Sequence, residues 1–309
     1  MVTSNKEVVA NFGDELTKLA YDNGVFYLFE ASVGGGIPLI RPITQLLSTE
    51  RINKIDGIVN GTTNYILTEI ERSGKDFDEA LQSARKLGYA EANPAADINA
   101  IDAQRKIVIL TALATGKLYS AADICTESIS DVTSSDMASA AKLGGSIKLI
   151  AHASFDGVTP DIFAAPCFVP YTSPLAHIDG VYNGVLVSSD ISGDLMFFGQ
   201  GAGRYPTSGS VVSDITSIAL GTQRKLKPFI RADKAELTPS EEHVCRHFLT
   251  VPAEISGKAA DIFGIEQSPV LNYGTASFIL PECRHGFAVR AAEALSAETG
   301  ARVALYRII

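Results

Sequence analysis

The chain has 309 residues, 46% of them hydrophobic, which is enough for two compact domains or three small ones, each with a core of its own. A formal net charge of -9, with no basic run and no aromatic-basic interleaving, argues against a nucleic-acid partner. No apolar run reaches the roughly 18 residues of a membrane span and no export or anchoring signal opens the chain, while Cys125, Cys167, Cys245 and Cys283 lack the C-x-x-C spacing of a zinc site or disulfide scaffold, which fits a reducing cytoplasm.

From Asn5-Lys6 onward, VVANFGDELTKLAYDNG reads as a helix with Val8, Val9, Phe12, Leu16, Leu19 and Ala20 on its apolar repeat, closed by Gly24. The β-branched and aromatic density of Val25 to Val33 predicts a strand that runs into Gly34-Gly35-Gly36-Ile37-Pro38. Three glycines let the backbone bend sharply and turn its carbonyls toward a common point, although a tight strand-to-helix connection needs nothing more. A helix near Pro42 to Leu47 follows, then a strand, an Asn60-Gly61 turn and a helix capped by Thr62 or Thr63, whose free amides suit a polar or anionic ligand. Asp76 caps a scaffold helix with Phe77, Ala80, Leu81, Ala84 and Leu87 on one face, ending at Gly88.

Gly88 to Lys106, GYAEANPAADINAIDAQRK, is the stretch richest in chemistry. Apolar residues at 98, 101, 107, 108, 110, 112 and 113 make most of the helix circumference greasy, which predicts a buried helix. Asp102 and Lys106 stand one turn apart on one face, and Glu91 and Asp97 arrive from the loop that feeds it. An isolated Asp-Lys pair at this spacing is an ordinary surface pair. A lysine carried into an apolar setting among three carboxylates can instead transfer protons, or grip a substrate carboxylate or hydroxyl.

Between Ala114 and Lys142 the pattern weakens to short helices and a Ser-rich link, with no chemistry evident. SIKLIAHASF, VTPDIFAAPCFVP and VLVSSD-ISG-DLMFFG are strands completing a mixed sheet, and His152 and His177, outside any motif, are expected in core or surface roles. Phe197 to Leu220 reads as strand, Gly-rich turn and helix, able to cradle a pyrophosphate, although Arg204 replaces the last glycine of G-x-G-x-x-G. From Glu242 the order βαββαβ fits a ferredoxin-like unit.

The Gly88 to Lys106 stretch resembles the core motif of homoserine dehydrogenases, roughly G-Y-A-E-A-D-P-x-x-D-x-x-G-x-D-A-x-x-K. Glu91, Asp97, Asp102 and Lys106 fall on the motif. Asn93 stands where the family usually has Asp, and Ala100 where it has Gly, adding a methyl group close to the site. The resemblance is strongest from Asn5 to Lys106, returns at 199 to 214, and is weakest after Leu237.

It implies an α/β (α+β) chain: 1–24 as the residual end of a Rossmann-type nucleotide-binding domain, 25–196 as a mixed-sheet catalytic and dimerisation domain, 197–237 as a return to the nucleotide-binding domain, and 238–309 as an ACT-type unit. It implies NAD(P)-dependent interconversion of L-homoserine and L-aspartate 4-semialdehyde in threonine, methionine and isoleucine biosynthesis, by a cytoplasmic homodimer. By position, Lys106, Lys6 and Asp102 are the expected catalytic residues. Glu91, Asp97, Lys106, Thr62 and Tyr89 are expected at the substrate, and Lys6, Asn60, Gly201 and Gly203 at NADP or NAD. Carbonyls of Glu30, Val33, Gly35 and Ile37 would hold a monovalent cation such as Na+.

Two other readings stand beside this one. No strand followed by G-x-G-x-x-G opens the chain, so a truncated, catalytically incomplete chain that folds and dimerises without binding dinucleotide is the rival. An amino-acid-sensing module built on residues 238–309 ranks third, because the usual Asp-x-x-Gly ligand loop is not visible in VPAEISG.

Overall fold

A computed structural model describes every residue of the chain except Asp156 and Val158. Helix α1 (Lys6–Asp22) starts where Asn5 accepts the Val8 amide with its side chain. Its buried face is Val9, Ala10, Gly13 and Thr17, while Phe12 and Leu19 from the expected apolar repeat are exposed. Val25 to Val33 forms no ladder strand. Leu28 makes a single bridge to Val2 and Glu30–Ser32 is a 3-10 turn, because the Glu30 carboxylate folds the segment locally by accepting the amides of Leu39, Ile40 and Arg41.

A π-helical turn at Pro42–Leu46 leads into β1 (Ile52–Ile58). Then α2 (Gly61–Ser73), α3 (Phe77–Lys86, with an Asp76 capping box), the single turn α4 (Ala95–Ile98) and α5 (Ile101–Thr115) follow. Asn60, not Thr62 or Thr63, caps α2: its side chain accepts the Thr63 amide, the usual task of a short polar side chain at that position. On α5, Ile107 through Leu110 and Ala112 are fully buried, as expected of a helix apolar on nearly all sides. The chain passes from α4 to α5 through Ala100, which is itself fully buried and sits at a left-handed φ of 60°.

The remaining elements are β2 (Lys117–Leu118), β3 (Cys125–Thr126), α6 (Ser134–Lys142), β4 (Gly145–Ser154), β5 (Asp161–Pro170), β6 (Tyr182–Ser189), β7 (Gly193–Gln200), α7 (Arg204–Ala219), β8 (Ile230–Arg231), β9 (Val244–Pro252), α8 (Ser256–Phe263), β10 (Val270–Asn272), β11 (Thr275–Arg284), α9 (His285–Thr299) and β12 (Ala304–Ile308). The strand expected from Val158 begins outside the described residues and is observed from Asp161.

Among the described residues one ten-stranded sheet runs β10-β11-β9-β12-β5-β4-β1-β6-β7, with β3 on β5 beside that path. The first four strands, with α8 and α9, have the ferredoxin-like order the sequence predicts. They are not a detached body: β12 is antiparallel to β9 and parallel to β5, so one sheet crosses the expected boundary at 238. Helix α5 packs across β1, β4 and β5, and the main core gathers between them.

Strand register fixes which loops meet. Ile58 at the end of β1 pairs with Gly184, and Gln200 at the end of β7 pairs with Tyr182 of the same β6. The segments after β1 and β7 therefore emerge at one end of the sheet, two strands or about 10 Å apart.

Candidate active site

At that end of the sheet the site is assembled around Asp102 in the first turn of α5, 4% exposed. Lys106, one turn on and 8% exposed, places Nζ 2.6 Å from Asp102 Oδ2 and donates to the Val59 carbonyl at 2.5 Å. Lys6, from the first turn of α1, brings its Nζ to 2.6 Å from Asp102 Oδ1. Glu7 meets Arg105 at 3.2 Å beside this contact, so the starts of α1 and α5 are pinned together twice.

Asn60 completes the cluster. Its Nδ2 donates to Asp97 Oδ1 at 2.7 Å and to Asp102 Oδ2 at 2.8 Å, while Oδ1 accepts from Thr63. With both amide protons and its oxygen engaged, Asn60 joins two carboxylates to a helix start. The side chain expected at the cofactor is a clamp inside the protein.

Burial alone would raise the Asp102 pKa, but the charges of Lys106 and then Lys6, with their hydrogen bonds, hold it well below the usual carboxylate range. Asp97 is shifted the other way. Burial raises it more than the Asn60 hydrogen bond lowers it, and the Asp102 charge adds to the rise. Asp102 is thus favoured as an anion, and its two oxygens hold the two lysines. Lys106 has three donors and two are fixed, which leaves one N–H to direct. The Lys6 side chain is 41% exposed and faces the open side.

The other expected residues spread around this centre. Thr62 Oγ1 donates to the Tyr89 carbonyl at 2.6 Å, and the Tyr89 ring lies 5.0 Å from that of Tyr65, so both serve to hold the 88–94 loop on α2. Glu91 is exposed on that loop and joins neither lysine in the contacts above. Gly201 and Gly203 lie between β7 and α7, where Gly203 has φ 125° and precedes the first turn. A Cβ on Gly201 would come within 1.9 Å of the Asn183 side chain, and one on Gly35 within 2.4 Å of the Gly201 carbonyl. Close approach of two chain segments, rather than a ligand, already demands glycine at both positions.

The 30–37 segment lies against the start of α7. Glu30 Oε atoms cap residues 39–41, the Gly36 amide donates to Gln200 O at 3.2 Å, and Gly35 O accepts from Ser210 Oγ at 2.6 Å. Gly34 and Gly35 have φ of 76° and 56°, which folds the backbone back between Val33 and Ile37. A hard cation would find main-chain carbonyls here, one of them shared with a hydroxyl.

The sequence does not reveal the Val59 carbonyl as the second acceptor for Lys106, since any residue supplies a carbonyl. Nor does it reveal Asp136, which at 1% exposure accepts from Thr133, Thr250, Arg302 and Tyr306 and ties α6 to the ferredoxin-like strands. His152, expected in a core or surface role, is in the core: its Nδ1 lies 2.6 Å from fully buried Asp56.

Fold and site together define an α/β chain of the enzyme type, with two lysines held on one buried carboxylate at the end of a mixed sheet. The family model for homoserine dehydrogenase matches residues 38–216. The chain is 46% identical over 222 residues to homoserine dehydrogenase of Synechocystis sp., covering 71% of this chain and 51% of that protein, and 40% identical over 218 residues to that of Bacillus subtilis. The crystal structure of a homoserine dehydrogenase from Thiobacillus denitrificans superimposes over the whole chain and 76% of its own, with a TM-score of 0.86 at 30% identity. A hyperthermophilic archaeal homoserine dehydrogenase mutant in complex with NADPH matches 73% of this chain with a TM-score of 0.63 at 31% identity. The chain belongs to the homoserine dehydrogenase family, and it spans about half the length of the curated relatives it matches.

Proposed function

We propose that this chain carries the substrate-handling part of an NAD(P)-dependent homoserine dehydrogenase, interconverting L-homoserine and L-aspartate 4-semialdehyde. The observation that carries the reading is the Lys6–Asp102–Lys106 arrangement, in which opposite oxygens of one buried carboxylate each hold an amine at 2.6 Å. The dinucleotide, when bound, supplies the hydride chemistry. The remaining N–H of Lys106 points the ammonium at the substrate C4 oxygen, and a lysine there holds or moves the alcohol proton as the carbonyl forms. Lys6 orients the same oxygen from the more open side. Exposed Glu91 is the acid free to meet the substrate ammonium, with Thr62 and Tyr89 shaping the loop that carries it.

Toward the dinucleotide, Lys6 and the backbone at Gly201 and Gly203 form one wall, since α7 begins there with free amides. A monovalent cation on the carbonyls of Glu30, Val33, Gly35 and Ile37 would brace this wall, and no step of the reaction runs through it. NADP or NAD as partner, a homodimer and an ACT-type role for 238–309 belong to the same reading. Its setting is the cytoplasm; no helix among the described residues is long and apolar enough to cross a membrane.

The test is homoserine oxidation followed by NAD(P)H absorbance, on this chain and on the chain joined to the dinucleotide-binding domain of a relative. Turnover in the joined protein that disappears in Lys106→Ala is the expected result. A joined protein that binds NADPH and folds, yet turns over no homoserine, would overturn the reading.

A further inference from the structure

Outside the lysine site, the described residues hold one place where Cys and His donors converge. On β9, Cys245 and His247 are two apart and so share a face of the strand. His285 opens α9, delivered to them where its amide donates to the His243 carbonyl at 2.7 Å. Cys245 Sγ lies 3.5 Å from His247 Nε2, and His247 Nε2 lies 3.1 Å from His285 Nδ1. All three ligand atoms fall within 4.8 Å of one another.

The two separations that meet at His247 Nε2 match edges of a tetrahedron. With Zn–N of about 2.05 Å and Zn–S of about 2.3 Å, a tetrahedron has an N···N edge of roughly 3.3 Å and an S···N edge of roughly 3.5 Å. The outer support fits as well. The other ring nitrogen of His285, Nε2, faces Glu127 Oε1 at 3.6 Å, and Glu127 is itself held by Arg307 at 2.5 Å. A carboxylate behind a ligating imidazole fixes which nitrogen is free for the metal. Cys283 Sγ is 3.7 Å from His247 Nδ1, on the far side of that ring, and takes no part in the set.

We propose that Cys245, His247 and His285 form a binding site for one zinc-class divalent ion, with Cys245 Sγ, His247 Nε2 and His285 Nδ1 as ligands and water at the fourth corner. A mixed S and N donor set of this size selects a borderline-soft ion such as Zn2+ over Mg2+ or Ca2+. Binding replaces the thiol proton of Cys245, which leaves to solvent, by the metal. The ion joins the start of β9 to the first turn of α9 and so braces the ferredoxin-like strands. The linear spacing of cysteines hides the site, because the motif is Cys-x-His on a strand and the third ligand comes 38 residues further along.

The experiment is titration of the chelator-treated full chain with Co2+ and then Zn2+, followed by absorption and by metal analysis after dialysis. One metal per chain is expected, with the intense visible bands of tetrahedral cobalt and a near-ultraviolet thiolate-to-cobalt band that Zn2+ abolishes. Cys245→Ser removes the thiolate band and weakens zinc by about tenfold or more, while Cys283→Ser leaves both unchanged. His285→Gln, for the case in which Cys245→Ser does not fold, keeps the thiolate band and alters the visible bands. A folded wild-type chain that retains no stoichiometric metal, a pale octahedral cobalt spectrum, or a thiolate band lost in Cys283→Ser instead of Cys245→Ser would overturn the assignment.

Discussion

Lys6 Nζ and Asp102 Oδ1 are 2.6 Å apart, although one opens the first helix and the other opens the buried helix α5. This contact, with Lys106 on the other carboxylate oxygen, makes Asp102 the common partner of both amines. Asp102→Asn keeps the shape and removes the anion. We expect turnover in the joined protein to fall about a hundredfold, the scale of a mispositioned acid or base, and the melting temperature to drop as well, because Lys106 loses its buried counter-charge. Steady-state kinetics and thermal melts decide it, and an unchanged kcat would remove Asp102 from the machinery.

Lys106→Ala should keep the fold and lose turnover by about a hundredfold or more. Lys106→Arg should not restore it, since guanidinium cannot release a proton near neutral pH and its planar fork does not fit between Asp102 and the Val59 carbonyl. Circular dichroism with kcat measurement checks both variants. Near-normal turnover in either one would contradict the proposed role.

Acid should unfold the chain through its buried anions. Asp56, Asp102, Glu127 and Asp136 are all pushed upward by burial and yet held below the ordinary carboxylate range by their partners: His152 with Lys54, Lys106 with Lys6, His285 with Arg307, and Arg302. A depressed folded pKa contributes stability that is present above the unfolded value, about 4, and is lost as pH falls from there through the folded one. Asp97 and Asp214 are raised by burial and act oppositely, favouring the fold at low pH and less so as pH rises through their raised values. The depressed carboxylates, Asp179 beside Lys148 among them, outnumber the two raised ones and predict a melting temperature that declines steeply below about pH 4. Thermal melts from pH 7 to 3 test this, and a flat profile would contradict it.

Asp136→Ala should be among the most destabilising single changes, by about 3 kcal/mol or more, because it strands the Arg302 guanidinium and the Thr250 and Tyr306 hydroxyls together. Urea unfolding monitored by circular dichroism measures the loss. A midpoint within experimental scatter of the wild type would mean that the network closes up without its anion.

Ala100 offers a steric test. At φ 60° and full burial, a β-branched residue has neither backbone freedom nor room, so Ala100→Val is expected to cost about 2 kcal/mol or more. Ala100→Gly relieves the left-handed strain but loosens the unfolded chain, leaving a net change within about 1 kcal/mol of zero. Paired melts of the two variants give the comparison.

The buried helix, its Asp–Lys pair and the ferredoxin-like order were legible because periodicity and spacing act locally. The Val25 to Val33 stretch reads as a strand because its side chains suit one, but the decisive contact is Glu30 reaching forward to three amides, and propensity carries no record of that. The motif picks out Asn60, but its bonds to Asp97, Asp102 and Thr63 can be seen only once the loops are brought together. Asp136 sits in a Ser-rich link that looks inert, since its partners come from β9, from β12 and from Arg302 in the loop before β12.

The parallel pairing of β12 with β5 sets a limit on dissection of this chain. Residues 238–309 are not a self-contained cassette: excision would bare the β5 edge at Cys167 and Phe168 on one fragment and the β12 edge at Arg307 and Ile308 on the other, and would part the buried Arg307 from Glu127. Such pieces, expressed separately, are complementary adhesives, and mixing them should recover the intact sheet more readily than either should remain dispersed alone.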